Sequence, residues 1–171
     1  MGNYCPFCHF EAFGDRVFYD DQRWFAILAA PQHTQGHTIL LAKKLEVQCP
    51  TGLDIAVING LDEALAKVAK ALLQYYRPKD ILVASVRGDL SHAHFHLIPL
   101  WVNEEREWRS QHLYESGHLL EYLGELERNG DEMAAIQRIN RGWSSEEQRA
   151  AITTDLQGDV EALKTLCSTL S

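Results

Sequence analysis

The sequence predicts an α+β fold. Along the chain, short strands precede and follow one long helix, and a helical extension comes last. Five runs rich in β-branched and aromatic residues predict strands at positions 16–19, 24–28, 37–41, 81–86 and 92–100. Between the third and fourth runs, apolar residues recur at steps of three and four from about Leu53 to Tyr76, and Pro78 follows. That periodicity indicates one amphipathic helix that ends at the proline.

The organisation of the chain changes after about residue 103. All the β-prone runs lie in residues 1–103, whereas residues 104–171 are rich in Glu, Leu and Arg with helical periodicity. Ser144-Ser145-Glu146-Glu147 can form a capping box for the last helix. We therefore expect a domain over 1–103 and a helical C-terminal extension over 104–171 that packs on or beside it.

Composition and charge narrow the possible partners. The 171 residues are 46% hydrophobic and 23% charged, which is typical of a soluble globular protein. A formal net charge of −8 argues against a general electrostatic grip on nucleic acid, which needs clustered Lys and Arg. No apolar run approaches the ~20 residues of a membrane span, and the N-terminus lacks the pattern of a signal peptide. We expect a cytoplasmic protein with reduced cysteines, without a nucleic-acid or membrane partner.

Three histidines at strict two-residue spacing, His92, His94 and His96, are the most informative feature of the chain. Side chains alternate across a strand, so these rings leave one face while Phe95 and Leu97 leave the other. If Phe95 and Leu97 are buried in a core, three titratable and nucleophilic rings are brought into one cleft.

Three interpretations of this array compete. The rings could simply satisfy structural hydrogen bonds, although each polar ring turned inward then needs a partner. They could act as a nucleophile with accessory groups, or His-x-His could supply two ligands of a transition-metal site. The residues alone leave the nucleophile and the metal site balanced.

The array is part of a longer series of motifs. Gly36-His37-Thr38 opens the third predicted strand, and Lys43-Lys44 follows that strand. A long predicted helix and a fourth strand come next. The last motif is His-x-His-x-His, followed by two hydrophobic residues and a proline. In this order the motifs resemble the histidine-triad (HIT) superfamily, and Cys5-Pro6-Phe7-Cys8 is similar to the start of many bacterial members. The resemblance runs from about Cys5 to Leu100. It implies a HIT-like antiparallel sheet of about five strands with one long helix, and a possible homodimer.

The resemblance also implies a function and a mechanism. HIT proteins are nucleotide hydrolases and nucleotidyl transferases, so the expected substrate is a nucleoside phosphoramidate or a (di)nucleoside polyphosphate. His94 would attack the α-phosphorus to give a covalent nucleotidyl-histidine, while His96 donates a hydrogen bond to phosphate oxygens. His37 would lie against the phosphate or the leaving group. The chemistry is reasonable in itself, because neutral imidazole is available as a nucleophile at pH 7.

The residues around the nucleophile depart from the family pattern. The position that commonly holds the ribose hydroxyls with an acid is Ala29, and the segment before the array is shortened to residues 87–91. Asp89 falls where a hydroxyl would help the leaving group; it can act as a general acid or repel phosphate. Arg87 can restore positive charge beside the phosphates. These departures indicate an atypical substrate.

Two alternatives from other classes remain. The first is a non-catalytic regulator that binds a nucleotide or phosphate on a HIT scaffold, which Ala29 and the altered loop favour. The second is a metal-dependent enzyme that uses the histidine triad as ligands. The first would bind nucleotide without forming a covalent adduct, and the second would lose all activity to chelators.

The expected cofactor is a structural zinc ion. Cys5-x-x-Cys8 has metal-ligand spacing. Zinc-bearing HIT relatives add a histidine just after the Lys-rich strand end and the first triad histidine, which is His92 here. A leucine occupies the first of these positions, so Cys49 would complete a Cys3His set, with His9 as a less suitable option. Otherwise Cys5 and Cys8 are simply reduced residues near the N-terminus.

Overall fold

A computed structural model describes residues 7, 10–29, 35–43, 58–85, 92–100 and 155–170. The described chain forms one five-stranded antiparallel sheet in the order β1-β2-β3-β5-β4, with two α-helices. The predicted α+β class, with its antiparallel sheet, long helix and C-terminal helix, is confirmed. The strands are β1 Val17–Asp20, β2 Trp24–Leu28, β3 Thr38–Ala42, β4 Asp80–Ala84 and β5 His94–Leu100. The helices are α1 Leu61–Tyr76 and α2 Leu156–Thr169, and a 3-10 helix Phe10–Arg16 precedes β1.

Helix α1 begins at Leu61, later in the chain than the apolar periodicity predicts. The preceding Gly60 has φ 78°, a left-handed conformation through which an α-helix cannot continue. At the other end the prediction is confirmed, because the helix ends at Tyr76 just before Arg77 and Pro78. Arg77 is also left-handed, and its N–H closes the last turn.

The sheet face that carries the helices holds the larger hydrophobic core. Its buried side chains come from β1, β2, β3, both helices and the strand β5, and include Phe18, Trp24, Leu28, Leu40, Val68, Leu72, Leu97, Val160 and Leu163. Phe95 packs against this core and meets Trp24 with ring centroids 6.0 Å apart. Phe95 and Leu97 thus lie on the core side of the sheet, as the alternation predicts.

The opposite sheet face is also apolar, and the described part of the N-terminal segment, Phe7 and residues 10–17, packs on it. Three side chains of this segment, Phe7, Phe13 and Val17, contact a buried group on β2, β3 and the residue after β2: Phe25, Ile27, Ala29, Ile39 and Leu41. In the β3–β5 register, His94 stands opposite Leu41 and His96 opposite Ile39. Opposed residues of an antiparallel pair share a face, so the histidines leave the sheet on this side.

Helix α2 is the part of the C-terminal extension that the structure describes. It contacts α1 and β1, and its buried residues are Asp159, Val160, Leu163 and Cys167. Asp155 caps its start by accepting a hydrogen bond from the N–H of Gly158. The predicted boundary at residue 103 and the predicted capping box at 144–147 lie outside the described residues. Neither described helix is long and apolar enough to cross a membrane.

Candidate active site

Four histidines form a cluster on the face covered by the N-terminal segment. His92, His94 and His96 come from β5 and the residues just before it, and His37 precedes β3. Their exposed fractions are 1% for His37, 3% for His92, 2% for His94 and 1% for His96. The pairing of β3 with β5 brings His37 to the other three, although it is distant from them in the sequence. We call these four residues the histidine cluster.

The tautomer of His94 follows from its hydrogen bond. Its Nδ1 lies 2.8 Å from the backbone oxygen of His92. A carbonyl oxygen only accepts, so Nδ1 carries the hydrogen and donates it. In the neutral ring Nε2 then carries the lone pair, and the same hydrogen bond holds the ring in orientation. His94 is therefore held as the tautomer in which Nε2 carries the lone pair.

His37 and His96 contact each other directly. His37 Nε2 lies 3.1 Å from His96 Nδ1, so one nitrogen donates and the other accepts. His96 Nε2 is buried and has no hydrogen-bond partner within the ranges that the structure describes. A buried polar nitrogen left unsatisfied costs about 1–3 kcal/mol. A ligand oxygen beside His96 Nε2 would remove that cost, so this nitrogen is suited to hold a polar substrate group.

Burial keeps the rings of His37, His92 and His96 uncharged at neutral pH. It lowers the pKa of His37 to about 4 and the pKa of His92 to about 4. Burial also lowers the pKa of His96 well below its usual value, and the neighbouring His37 and His94 add to the shift. Neutral rings offer lone pairs and N–H donors rather than positive charge. These three rings therefore suit neutral hydrogen bonding to an anion.

Acidic pH is expected to destabilise the fold through this cluster. The pKa of His37 falls from 6.5 to about 4 on folding, so between these pH values the unfolded chain binds a proton that the folded chain does not. Stability contributed by the neutral ring is thus present above pH 6.5 and is lost as pH falls toward 4. For His37 alone the loss from pH 7 to pH 5 is roughly 2 kcal/mol.

Urea unfolding at pH 7, 6 and 5 measures this dependence, with His37→Gln as the control. The control keeps a polar side chain but does not titrate, so its unfolding free energy should fall less over the same range. A wild-type pH dependence no steeper than that of His37→Gln would contradict the assignment.

Phe7 forms a wall of the cluster. Its ring lies 5.2 Å from that of His94 and 5.8 Å from that of His92, measured between centroids. Phe7 also packs near Phe13. Sequence analysis did not single out Phe7 as a site residue, and its position between two cysteines was the only available signal. The contact places the ring of Phe7 beside His94.

Ala29 is buried at the end of β2, beside the cluster. Its N–H donates to the backbone oxygen of His37 at 2.9 Å, and its side chain belongs to the apolar group under the N-terminal segment. A methyl group cannot accept hydrogen bonds from ribose hydroxyls. The departure noted in the sequence therefore lies directly next to His37.

A hydrogen bond assigns the roles of the two ring nitrogens of His92. Its Nε2 lies 2.8 Å from the backbone oxygen of Ala42, so Nε2 donates and Nδ1 keeps the lone pair in the neutral ring. Zinc-binding histidines commonly donate their second N–H to a carbonyl in this way. The other predicted zinc ligands, Cys5, Cys8 and Cys49, lie outside the described residues, as do Arg87 and Asp89. Among the described residues, no three His, Cys, Asp or Glu side chains are grouped to hold a metal.

Comparison with known proteins identifies the fold. No protein-family model matches the chain, and no curated protein matches its sequence. A zinc-bound histidine triad family protein from Mycobacterium smegmatis is similar in structure, with a TM-score of 0.54 and 18% identity over 96% of this chain and 93% of that one. The chain has the histidine-triad fold. A hypothetical histidine triad nucleotide-binding protein from Sulfolobus tokodaii is also similar, with a TM-score of 0.51 and 17% identity over 95% of this chain and 93% of that one.

The likeness confirms the resemblance to the histidine-triad superfamily at the level of the fold. The two similar proteins are aligned over nearly all of this chain, whereas the sequence motifs extend only from about Cys5 to Leu100. At these identities the roles of individual residues must come from the site itself.

Proposed function

We propose that the protein is a HIT-type nucleotide hydrolase or nucleotidyl transferase that works through a covalent intermediate on His94. One observation carries the proposal: the backbone oxygen of His92 holds the His94 ring as the tautomer with a nucleophilic Nε2. The substrate class is a nucleoside phosphoramidate or a (di)nucleoside polyphosphate.

The first step forms a bond between His94 Nε2 and the α-phosphorus. The bond from phosphorus to the leaving nitrogen or oxygen breaks, and its electron pair departs with the amine or phosphate, which takes up a proton. The His94 ring becomes positively charged, and its Nδ1–H still donates to the oxygen of His92. A hydrogen bond from a charged donor is stronger than one from a neutral donor, so this contact stabilises the intermediate. Water or an acceptor hydroxyl then attacks phosphorus and releases its proton to solvent. The N–P bond breaks, its electron pair returns to Nε2, and neutral His94 is regenerated.

His96 and His37 support this step as a linked pair. For His96 Nε2 to donate to a phosphate oxygen it must carry the hydrogen, so Nδ1 of the neutral ring must accept. The donor to Nδ1 is then Nε2–H of His37, at 3.1 Å. His37 thus sets the tautomer of His96, and His96 donates to the charge that shifts onto phosphate oxygens in the transition state.

The substrate-reading residues favour an atypical nucleotide. The side chain of Ala29 offers no acceptor to ribose, while Phe7 offers an aromatic surface beside His94. We assign Arg87 to phosphate binding and Asp89 to protonation of the leaving group, as general acid. Arg87→Ala should then raise KM for anionic substrates, and Asp89→Asn should slow release of a poor leaving group more than release of a good one.

Intact-mass analysis tests the proposed function. The protein is incubated with adenosine phosphoramidate or a dinucleoside polyphosphate and quenched at alkaline pH, because phosphohistidine is acid-labile. A nucleotidyl adduct on the wild-type protein supports the proposal. Nucleotide binding without adduct or turnover would favour the non-catalytic regulator, which Ala29 makes the second candidate. Loss of all activity to a chelator, with metal bound at the triad, would favour the metal-dependent enzyme.

We further propose that His92, Cys5, Cys8 and Cys49 hold a structural zinc ion. Two observations support it: Nδ1 of His92 keeps a lone pair while Nε2 donates to Ala42, and the ring of Phe7, the neighbour of Cys8 in sequence, packs on His92. A closed site of this kind stabilises the fold and takes no part in the reaction at His94.

Cys5→Ser is expected to release zinc and to lower thermal stability much more than it changes the chemical step. Bound metal is measured by elemental analysis, stability by thermal unfolding, and the chemical step by single-turnover adduct formation. Cys167→Ser is the matched control, because Cys167 is buried in helix α2 and belongs to the opposite core. A Cys5→Ser protein with normal melting and a large loss of rate would contradict a structural role.

A further inference from the structure

We propose that the C-terminal helix α2 positions His37 through a contact chain from Asp159 to Tyr76 and Gly36. The inference deepens the proposed function and rests on it, since it gives His37 its place beside His96 in the reaction. Tyr76 and Asp159 are positioning residues, because neither is in the histidine cluster.

The first link joins the two helices through a buried carboxylate. Asp159 is 7% exposed and accepts hydrogen bonds from the hydroxyls of Tyr75 and Tyr76, each at 2.8 Å. A buried carboxylate is costly unless it is hydrogen-bonded, so the two phenols and the acid hold each other in place. Burial, followed by the hydrogen bond to Asp159, raises the pKa of Tyr75 to about 12. The same two causes raise the pKa of Tyr76, so both phenols stay protonated donors at neutral pH. The first turn of α2 is thereby attached to the last turn of α1.

The second link is the contact between Tyr76 and Gly36. A Cβ atom built on Gly36 would lie 2.8 Å from Cδ2 and Cε2 of the Tyr76 ring and 3.0 Å from Cγ of Pro99. Real Cβ atoms do not approach that closely, so the phenol ring lies directly on the glycine backbone. Gly36 has φ +84°, a left-handed conformation that disfavours any side chain. The position of the Tyr76 ring therefore restricts the position of the turn at residues 35–36.

The third link runs from Gly36 to the cluster. Gly36 is bonded to His37, whose ring nitrogen Nε2 meets His96 Nδ1 at 3.1 Å. A hydrogen bond between two ring nitrogens depends on the orientation of both rings and weakens steeply as its angle becomes poorer. A small shift of the turn would therefore disturb the tautomer of His96, which in the proposed mechanism donates to phosphate.

The chain offers a matched control at the next residue. Tyr75 donates to the same carboxylate at the same distance, but the atoms nearest a Cβ on Gly36 come from Tyr76 and Pro99. Tyr75→Phe and Tyr76→Phe each remove one hydroxyl and one hydrogen bond to Asp159. Tyr75 is more exposed than Tyr76, so the readout that compares them is the hydrogen bond between His37 and His96 rather than stability. Positioning of His37 predicts that Tyr76→Phe alone disturbs this hydrogen bond.

Two readouts test the inference on the full chain. The first is the ¹⁵N NMR shift of the ring nitrogens of His37 and His96, which reports their hydrogen bond without any substrate. The second is the single-turnover rate of adduct formation with adenosine phosphoramidate. Tyr76→Phe should move the shifts and lower the rate several-fold with KM little changed, and Tyr75→Phe should leave the shifts and the rate near wild type.

A steric variant provides a second test. Gly36→Ala presses a methyl group on the Tyr76 ring and is expected to lower the rate by up to about 10²-fold, the effect of misplacing a reacting group by about 1 Å. A Gly36→Ala protein with the ring shifts and the rate of wild type would contradict the contact chain.

The outcomes separate this inference from the proposed function. If wild type turns over no nucleotide, but Tyr76→Phe alone moves the ring shifts, the positioning stands and the proposed reaction fails. If wild type is active, but Tyr76→Phe matches wild type in shifts and rate, the positioning is overturned. Equal effects of Tyr75→Phe and Tyr76→Phe would also overturn it.

Discussion

His94→Asn is expected to abolish the covalent adduct and to lower kcat by at least about 10³-fold. The asparagine amide can still donate to the backbone oxygen of His92, which His94 Nδ1 contacts at 2.8 Å. It has no nucleophilic nitrogen, because the amide lone pair is delocalised. The variant therefore removes the proposed nucleophile while keeping the hydrogen bond that orients it.

The rate is measured by steady-state turnover and the adduct by alkaline-quenched intact mass. His94→Ala is the second variant, and it removes the nucleophile and the hydrogen bond together. Both should be equally inactive if nucleophilic attack is the essential role. An adduct on His94→Asn, or a rate within about tenfold of wild type, would show that another residue attacks phosphorus.

Trp24→Ala is expected to lower the free energy of unfolding by about 3–5 kcal/mol. Trp24 is 0% exposed in the core between the sheet and the helices, and its ring packs against Phe95. Its indole Nε1–H also donates to the backbone oxygen of Asn59 at 3.3 Å. Removing the ring leaves a cavity beside Phe95 of strand β5. The other face of this strand carries His94 and His96.

Urea unfolding at pH 7 measures this loss. Trp24→Phe keeps an aromatic ring against Phe95 while it removes the indole hydrogen bond, so it should cost about 1–2 kcal/mol. If Trp24→Ala destabilises no more than Trp24→Phe, the packing between Trp24 and Phe95 contributes little to the free energy of unfolding.

Local periodicity explains what could be predicted of the fold. The spacing of two in β5 predicted which side chains face the core, because neighbouring side chains of a strand point to opposite sides. The spacing of three and four predicted helix α1 and its end before Pro78. The start of α1 was predicted too early, since apolar periodicity does not show that Gly60 adopts a left-handed conformation.

The candidate site was predicted only in part. The array of His92, His94 and His96 lies within one strand segment, so its shared face followed from the sequence. His37 entered through the family resemblance, and its contact with His96 depends on the register between β3 and β5. Phe7 was missed, because its position between Cys5 and Cys8 does not show that its ring packs on His94.

The sequence by itself determined the α+β class, the shared face of the three histidines and the residue types available for nucleophilic chemistry. Only the tertiary structure decided which nitrogen of His94 carries the lone pair and that His37 pairs with His96. It also decided that Asp159 joins Tyr76 beside Gly36. The physical reason is distance along the chain: periodicity depends on neighbours in sequence, whereas tautomers, pKa values and buried contacts depend on atoms that only folding brings together.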